Sequence, residues 1–341
     1  MKILITGAAG YIGSHTLKQF LETSHEIFVL DNLSKGSKKA IDALQNLRKF
    51  SFFEQDLCDF AGVKRLFKEH KFDAVVHFAA SIEVFESTQN PLKYYLNNTA
   101  NTSNLIQTCL ENGTNKFIFS STAAVYGEPQ NESVSETSPL QPINPYGRSK
   151  LMSEEVLRDA SLANPSFKHC ILRYFNVAGA CMSYQIGQNY PKATLLTKVA
   201  AECAAGKREK MFIFGDDYAT KDGTCIRDYI HVDDIASAHL SGLNYLQNAG
   251  ESNVFNVGYG HGFSVKEVIN TMKKVSGVDF SVEMASRRAG DPSILIADNA
   301  KIKSFTEWKP RFDSLEMICK SAYVKSIVSC FVWSVTSSAT L

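Results

Sequence analysis

Short apolar runs alternate with longer segments of helical periodicity through the first half of the chain. Runs rich in β-branched and aromatic residues predict strands, which lie at 2–6, 26–31, 50–56, 74–80 and 116–122. Apolar positions spaced three and four residues apart predict the intervening helices, at 12–23, 38–47, 61–70 and 91–112. Strands that alternate with helices form a parallel sheet covered on both faces, so the pattern predicts an α/β fold with a doubly wound sheet.

The second half of the chain is less regular and predicts a smaller second domain. A proline-rich loop at 128–145 is followed by a helix and by one more buried strand at 169–177. A chain that leaves a sheet and later returns to it normally leaves a cleft in which ligands bind. We therefore expect a sheet domain formed by 1–177 together with 216–257. A smaller α/β domain for the substrate is expected at 178–215 and 258–323, and an atypical, charge-poor tail at 324–341.

Composition and charge narrow the class of partner. The 36 basic residues nearly balance the 35 acidic ones, and the net charge of +1 gives no reason to expect a nucleic acid or an anionic membrane as partner. Eight cysteines without a C-x-x-C pair are typical of free thiols in a reducing compartment, and no run suits a signal peptide or a membrane span. We therefore expect a cytoplasmic protein. His77, His231 and His239 lack metal-ligand spacing, and we expect no metal site.

A glycine motif directly after the first strand indicates a dinucleotide site. In TGAAGYIGSH, Gly7, Gly10 and Gly13 allow a tight turn and the close approach of a pyrophosphate to a helix start, although an ordinary glycine-rich turn is the alternative. Asp31 ends the second strand, where it can accept hydrogen bonds from a ribose diol and would repel a 2′-phosphate, which favours NAD over NADP. Two further strand ends suit either the cofactor or ordinary turns: Asp56 with Leu57, and Phe78 with Ala79 and Ala80.

The stretch NPYGRSK begins a predicted helix and suggests proton chemistry. Asn144 is a good N-cap and Pro145 suits the first turn, so Tyr146 and Lys150 lie one turn apart on one face. Alone, this pair is either a surface coincidence or a phenol whose pKa is lowered by the neighbouring ammonium. Thr122 ends the fifth strand at the same edge of the sheet, and a hydroxyl, a tyrosine and a lysine beside an NAD site suit the oxidation of a carbinol.

At these residues the chain resembles the extended short-chain dehydrogenase/reductase family, whose sheet has the Rossmann fold. Thr122, Tyr146 and Lys150 match the Ser/Thr–Tyr–Lys triad of that family, and the glycines match its cofactor motif. Further stretches narrow the resemblance to UDP-hexose 4-epimerases, and most closely to bifunctional UDP-N-acetylglucosamine/UDP-glucose 4-epimerases; they include FSSTAAVYGEP, LRYFNVAGA and RRAGDPS.

The resemblance implies an enzyme that reversibly inverts C4 of UDP-glucose and UDP-galactose, and of the matching N-acetylhexosamines, through a 4-keto intermediate. Tyr146 would remove the proton of the 4-hydroxyl while hydride passes to NAD, with Thr122 placing the proton and Lys150 stabilising the phenolate. Because no net oxidation occurs, NAD must stay bound through the cycle. The resemblance also implies a homodimer formed through the helices that follow the fourth and fifth strands.

Other site residues are implied by the resemblance alone. For the cofactor they are Tyr11, Ile12, Asn32, Leu33, Ser34, Asn97, Ser120, Tyr174 and Phe175, and for the substrate Leu195, Leu196, Phe212 and Leu295. Residue chemistry independently suggests cations for the UDP phosphates, polar groups for hydroxyls and a ring for uracil, namely Arg227 and Arg288, Asn176 and Asp291, and Phe214. Taken singly, each of these is equally a salt bridge, a cap, a turn or a core residue.

Departures from the family pattern bear on cofactor and substrate. Many galactose-type relatives carry a cofactor-contacting lysine where this chain has Ile82, and a bulky tyrosine near the sugar 2-substituent where it has Leu295. The smaller side chain leaves room for an N-acetyl group, which favours the use of both sugar classes. An Asn-Leu pair of the relatives is replaced by ATLLT around Leu195 and Leu196.

Two alternative functions are less consistent with the residues. A 4,6-dehydratase places Asp-Glu directly after the triad threonine, whereas Ala123 and Ala124 follow Thr122 here. A non-catalytic cofactor-sensing protein would be expected to have lost the tyrosine or the lysine of the triad, and both are present.

Overall fold

The computed structural model describes residues 1–183, 185–192, 194–288 and 291–337, with the backbone alone from 329 onward. Its strands are β1 Lys2–Thr6, β2 Glu26–Asp31, β3 Ser51–Glu54, β4 Ala74–His77, β5 Lys116–Thr122, β6 Ser133–Val134, β7 Lys168–Tyr174, β8 Asn176–Ala178, β9 Lys210–Phe214, β10 Ile226–Arg227, β11 Tyr229–His231, β12 Asn253–Val257, β13 Phe263–Ser264, β14 Ser281–Ala285 and β15 Ile294–Ala297. Its helices are α1 Tyr11–Leu21, α2 Lys38–Gln45, α3 Phe60–His70, α4 Val84–Gln89, α5 Pro91–Tyr94, α6 Asn101–Asn112, α7 Pro145–Ala163, α8 Leu196–Ala204, α9 Val232–Gln247, α10 Val265–Ser276, α11 Ala300–Phe305 and α12 Leu315–Ser337.

The atypical tail continues α12 as far as Ser337. Its last residues, 338–341, lie outside the described residues, as do Ala289 and Gly290 of RRAGDPS and Ala193 of ATLLT. Among the residues described, no helix combines the length and the apolar character needed to cross a bilayer.

Within the described residues, seven strands form one parallel sheet in the order β12-β7-β5-β4-β1-β2-β3. Ile3 and Ile5 of β1 enter the core beneath α1 and α9, whereas Leu4 enters the core beneath α3, α6 and α7. Alternate side chains of a strand point to opposite faces, so a strand covered on both sides is apolar throughout. The α/β fold with a doubly wound parallel sheet, predicted from the sequence, is confirmed.

Several strands stop before their apolar pattern ends. The sequence predicts strands at 50–56 and 74–80, but Glu54 pairs with the last residue of β2 and His77 with the last residue of β1. Beyond Thr6 the chain turns at Gly7, which has a φ of +75°, so residues 78–80 have no strand beside them on that side. The predicted strand at 169–177 is divided, because β7 pairs with β5 and β12 while β8 pairs with β11.

Short strands form smaller sheets beside the central one. Their orders are β13-β10-β15-β6, β11-β8 and β14-β9. The prediction of a loop throughout 128–145 is therefore wrong at Ser133 and Val134, which pair with β15. In the segment 216–257, β12 joins the edge of the central sheet and α9 packs on β5 and β7, but β10 pairs with β13 and β15. The division into two domains stays a prediction.

The predicted helix at 91–112 contains a π-helical turn, Tyr95–Ala100, between α5 and α6. This turn places the buried Asn98 between the loop after β4 and α7. The Asn98 amide donates to the Ser81 carbonyl at 2.9 Å and to the Ser149 hydroxyl at 3.0 Å, and its oxygen accepts the Ser81 N–H at 2.8 Å. A buried amide with these bonds satisfied joins the two segments firmly.

Candidate active site

The glycine loop between β1 and α1 is crowded at all three glycines, most of all at Gly7 and Gly13. A Cβ on Gly7 would lie 2.5 Å from the Ala79 nitrogen, and one on Gly13 would lie 2.3 Å from the Gly7 oxygen. At Gly10 the nearest described atom to such a Cβ is that same oxygen, at 3.2 Å, and no described side chain caps α1. The first turn of α1 therefore has no side-chain cap among the described residues, which fits a pyrophosphate bound to its backbone N–H groups.

Asp31 lies beside this loop at the end of β2. Its buried carboxylate accepts the Ala9 N–H at 2.9 Å and the Leu33 N–H at 2.8 Å, one on each oxygen. Burial raises the pKa of Asp31 above its ordinary value, while the two backbone hydrogen bonds lower it. Each carboxylate oxygen retains a further acceptor site, which fits a ribose hydroxyl.

The neighbouring predicted cofactor residues join the ends of β2 and β3. Asn32 donates to the Asp56 carboxylate at 2.5 Å and accepts the Ser34 N–H at 3.0 Å. Leu33 adopts a φ of +59°, and Leu57 is buried in the core beneath α3. On the other side of the loop, Tyr11 donates to the Gly179 carbonyl at 2.6 Å and Ile12 packs against the core beneath α1.

The other predicted cofactor residues follow the carboxyl ends of β4, β5 and β7. The Phe78 ring lies 4.5 Å from the His239 ring, and Ala79 and Ala80 follow it, half-buried. The Ser120 and Tyr174 hydroxyls share a hydrogen bond, and Asn97 donates to Ser81 at 3.4 Å. Phe175 is an exception, since it is buried in a separate cluster with Tyr126 and Leu295.

Thr122, Tyr146 and Lys150 meet where β5 ends and α7 begins. Asn144 caps α7 by accepting the Gly147 N–H at 2.9 Å, and Pro145 occupies the first turn, as the sequence predicts. The Thr122 hydroxyl lies near enough to the Tyr146 phenol to lower its pKa. Lys150 Nζ donates to the Ser120 carbonyl at 2.8 Å and lies 4.8 Å from the centre of the Phe119 ring.

The titration of the triad differs from the sequence-based prediction. Burial raises the pKa of Tyr146 above its ordinary value, and the nearby Thr122 hydroxyl lowers it. Burial also lowers the pKa of Lys150 from 10.5 to about 7, while the Glu154 carboxylate raises it. The prediction that the Tyr146 pKa lies below the usual range is therefore wrong for the protein alone, because burial raises this pKa by more than the Thr122 hydroxyl lowers it.

Five of the predicted substrate residues form two groups. Arg227 is buried, lies 3.5 Å from the Asp291 carboxylate and is in register with Leu295 on the adjacent strand. The Arg288 guanidinium lies 3.8 Å from the centre of the Phe214 ring, so it occupies one face of the ring that the sequence assigns to uracil. The remaining members are spread more widely: Phe212 is exposed beside Phe214, Asn176 begins β8, Leu195 precedes α8 and Leu196 packs on the core.

Comparison of the sequence with known proteins identifies its family. Residues 3–258 match the NAD dependent epimerase/dehydratase family. A UDP-glucose 4-epimerase of Azospirillum brasilense is 47% identical over 321 residues, which cover 94% of this chain and 90% of that protein. The chain belongs to the NAD dependent epimerase/dehydratase family.

Solved structures of the epimerase/dehydratase family resemble the whole chain. The UDP-Glc/GlcNAc 4-epimerase from the human pathogen Campylobacter jejuni is 77% identical, with a TM-score of 0.85 and coverage of 95% of this chain and 98% of that one. A UDP-glucose 4-epimerase from Bifidobacterium longum, solved with NAD+ and UDP, is 34% identical, with a TM-score of 0.91 and coverage of 97% and 98%.

Two groups beside this epimerase/dehydratase site were not predicted from the sequence. Lys35 donates to Glu83 at 2.5 Å and to the Tyr190 hydroxyl at 2.7 Å, which joins the segments after β2 and β4 to the chain after β8. Glu154 and Arg173 form a buried ion pair behind the triad, at 2.5 Å. Glu154 follows Lys150 at the i+4 spacing that marks a shared helix face, and this spacing is the one signal that could have found it.

Proposed function

We propose that the chain is a UDP-hexose 4-epimerase that uses bound NAD to invert C4 of UDP-glucose/UDP-galactose and of the corresponding N-acetylhexosamine pair. One observation carries the proposal: Thr122, Tyr146 and Lys150 meet at the carboxyl edge of the parallel sheet, on the same edge as the glycine loop and the uncapped start of α1. This is where doubly wound sheets bind nucleotides. Relatives named as epimerases support the same reaction.

The triad residues have distinct roles in the proposed reaction. The Tyr146 phenolate takes the proton of the sugar 4-hydroxyl, and the Thr122 hydroxyl holds the same oxygen. Lys150, anchored to the Ser120 carbonyl, places an ammonium where it stabilises the phenolate. NAD, when bound, supplies the hydride acceptor for C4 and a positive charge that favours the phenolate. The keto sugar then turns, and Tyr146 returns the proton after hydride has come back to the opposite face.

Cations and polar groups of the smaller sheets hold the UDP part in this proposal. Arg227 and Arg288 bind the diphosphate, since a guanidinium matches the geometry of phosphate oxygens. Asp291 lies within reach of Arg227, at 3.5 Å, and positions that guanidinium or accepts a ribose hydroxyl. These residues come from the segments assigned to a second domain, so the cleft between the two parts is the proposed UDP-sugar site.

The size of residue 295 supports the use of N-acetylated sugars. Leu295, on β15, is buried next to Phe175 and Tyr126 and is in register with Arg227 on the neighbouring strand β10. A tyrosine at this position would extend toward the sugar and fill space that an N-acetyl group needs. We expect Leu295→Tyr to lower kcat/KM for UDP-N-acetylglucosamine at least tenfold more than for UDP-glucose, as measured by anion-exchange separation of the products. An equal loss for both sugars would show that position 295 does not select the 2-substituent.

A second copy of the chain is the proposed partner. Phe85, Leu92 and Leu96 are 78%, 69% and 65% exposed on α4, α5 and the π turn, and Met152 is 41% exposed on α7. These elements pack against each other and follow β4 and β5, where the resemblance places a dimer interface. Apolar side chains this exposed are typical of an interface between copies.

The free cysteine thiols and the proposed UDP-sugar reaction further support a cytoplasmic location.

Deuterium labelling tests the proposed reaction. In D2O, UDP-glucose should be converted to UDP-galactose without deuterium at C4, because the hydrogen removed from carbon returns as hydride from the cofactor. Proton NMR of the C4 position measures this directly. Deuterium at C4 of the product would mean that carbon is deprotonated to solvent, and the proposed reaction would be wrong.

A further inference from the structure

A buried ion pair lies behind the triad and joins three elements. The Glu154 carboxylate of α7 accepts from Arg173 Nη2 of β7 at 2.5 Å and from Arg173 Nε at 2.9 Å. It also accepts the Ser121 hydroxyl of β5 at 2.5 Å. Glu154 is fully buried and Arg173 is 1% exposed. Burying two charges is costly unless each is fully paired, and here the carboxylate is bound by both Arg173 and Ser121.

Each member of this pair adjoins a residue of the candidate site. Ser121 precedes Thr122, Arg173 precedes Tyr174, and Glu154 lies one helical turn after Lys150. The pair therefore fixes α7 against β5 and β7 at the level where the triad assembles. Arg173 is held in turn by the Tyr126 hydroxyl at 3.1 Å, and Tyr126 donates to Asn256 on β12.

Glu154 is also the anionic group that acts on Lys150. Burial lowers the pKa of Lys150 to about 7, and Glu154 raises it. The other titratable groups that face Lys150 do not supply negative charge in the neutral pH range. Burial keeps His77 on β4 uncharged by lowering its pKa to about 3, and burial raises the pKa of Tyr146 on α7.

The groups packed around Glu154 and the triad complete this electrostatic picture. Arg173 on β7 and Arg158 on α7, at 2.9 Å, bind the carboxylate of Glu154 itself. Tyr174 on β7 faces Tyr146, and burial raises its pKa. From the π turn, the side chains that bind α7 are the neutral Asn98, which donates to the Ser149 hydroxyl at 3.0 Å, and Thr99, which donates to the Ser149 carbonyl at 3.0 Å.

We propose that Glu154 is a positioning residue for the epimerase reaction: held by Arg173 and Ser121, its carboxylate favours the charged form of Lys150 and its place beside Tyr146. Glu154 touches neither sugar nor cofactor in this role and acts through Lys150. The inference rests on the proposed function, because Lys150 receives its role there.

The test compares substitutions that separate charge from shape. Glu154→Gln keeps the shape and removes the charge, whereas Glu154→Asp keeps the charge and changes the shape. The double variant Glu154→Gln/Arg173→Met removes both charges of the pair, which lessens the cost of leaving one buried ion alone. Glu155→Gln, at the exposed neighbouring position, is the matched control. For each holoenzyme we would measure the melting temperature, the bound NAD, KM for UDP-glucose, and kcat from pH 5.5 to 10.

A charge role predicts that Glu154→Gln lowers kcat tenfold or more with little change in KM, and moves the alkaline fall of kcat to lower pH by about one unit. Glu154→Asp should retain more activity than Glu154→Gln and keep the wild-type pH profile. The double variant should recover melting temperature relative to Glu154→Gln and still show the shifted profile.

A purely structural pair predicts the opposite order. The isosteric Glu154→Gln would then exceed Glu154→Asp, and the double variant would recover both stability and the wild-type pH profile; either result overturns the proposal. If the single variants fail to fold, the pH profile of the double variant decides alone. Failure of the proposed function is distinguished by the wild-type protein, which would then not convert UDP-glucose at all.

Discussion

Replacement of Lys150 should stabilise the NAD-free protein while it abolishes turnover. Lys150 is 3% exposed, and burial lowers its pKa from 10.5 to about 7. A shift of this size corresponds to about 4–5 kcal/mol, since one pKa unit is worth about 1.4 kcal/mol. Lys150→Met removes that cost and leaves the Ser120 carbonyl without its donor, which costs about 1–2 kcal/mol. We expect a net gain of about 3 kcal/mol in the free energy of unfolding below pH 7.

The sign of the pH dependence follows from the direction of the shift. Below pH 7 Lys150 is protonated in both the folded and the unfolded chain, so the wild type bears the full cost of the buried charge. From about pH 7 to about pH 10.4 the unfolded chain binds the proton and the folded chain does not, so wild-type stability rises with pH. The advantage of Lys150→Met should therefore shrink steadily across this interval.

Urea unfolding of both proteins at fixed protein concentration, from pH 6 to pH 10, measures this difference. Lys64→Met is the control, since Lys64 is 42% exposed in a surface pair with Glu111 and its loss should change stability by less than about 0.5 kcal/mol. A Lys150→Met protein that is no more stable than the wild type at pH 6 would show that the buried ammonium does not lower the stability of the fold. A stability gain that does not change with pH would contradict the lowered pKa of Lys150.

Further predictions concern turnover, cofactor retention and assembly. Tyr146→Phe removes one hydroxyl and should lower kcat by about 10²–10⁴-fold while the NAD content measured after unfolding stays unchanged; loss of NAD with undiminished kcat per bound NAD would contradict the role of Tyr146. Lys35→Met and Tyr190→Phe each break the Lys35–Tyr190 hydrogen bond beside the glycine loop and should speed NAD release severalfold in a dialysis time course, and unchanged release would show that this bond does not retain the cofactor. Leu96→Lys should convert a dimer into a monomer in sedimentation analysis, and a dimer that persists would place the interface elsewhere.

The central sheet could be predicted because its strands are buried on both faces. β1, β2 and β5 have the predicted bounds, since each carries an uninterrupted apolar run that is buried between the two helical layers. β3 ends where its neighbour β2 ends, and β4 ends where its neighbour β1 ends. The apolar pattern of one strand carries no information about where the neighbouring strand ends. Strands of two residues such as β6 and β10 carry too little periodicity to be recognised.

The candidate site was predictable in its residues more than in its electrostatics. Tyr146 and Lys150 are fixed by helical spacing and by the cap at Asn144, which are local features. The direction of the Tyr146 pKa shift could not be predicted, because it depends on how much protein surrounds the phenol. The same holds for the π turn, which depends on Asn98 reaching both Ser81 and Ser149 from elsewhere in the chain.

The most direct test of the account is proton NMR of the purified protein, with no NAD added, incubated separately with UDP-glucose and with UDP-N-acetylglucosamine. Each sugar should be converted to its 4-epimer, because NAD remains bound through the cycle and Leu295 leaves room for the N-acetyl group. Conversion of UDP-glucose alone would contradict the argument from Leu295. No conversion of either sugar, before or after NAD is added, would contradict the epimerase function itself.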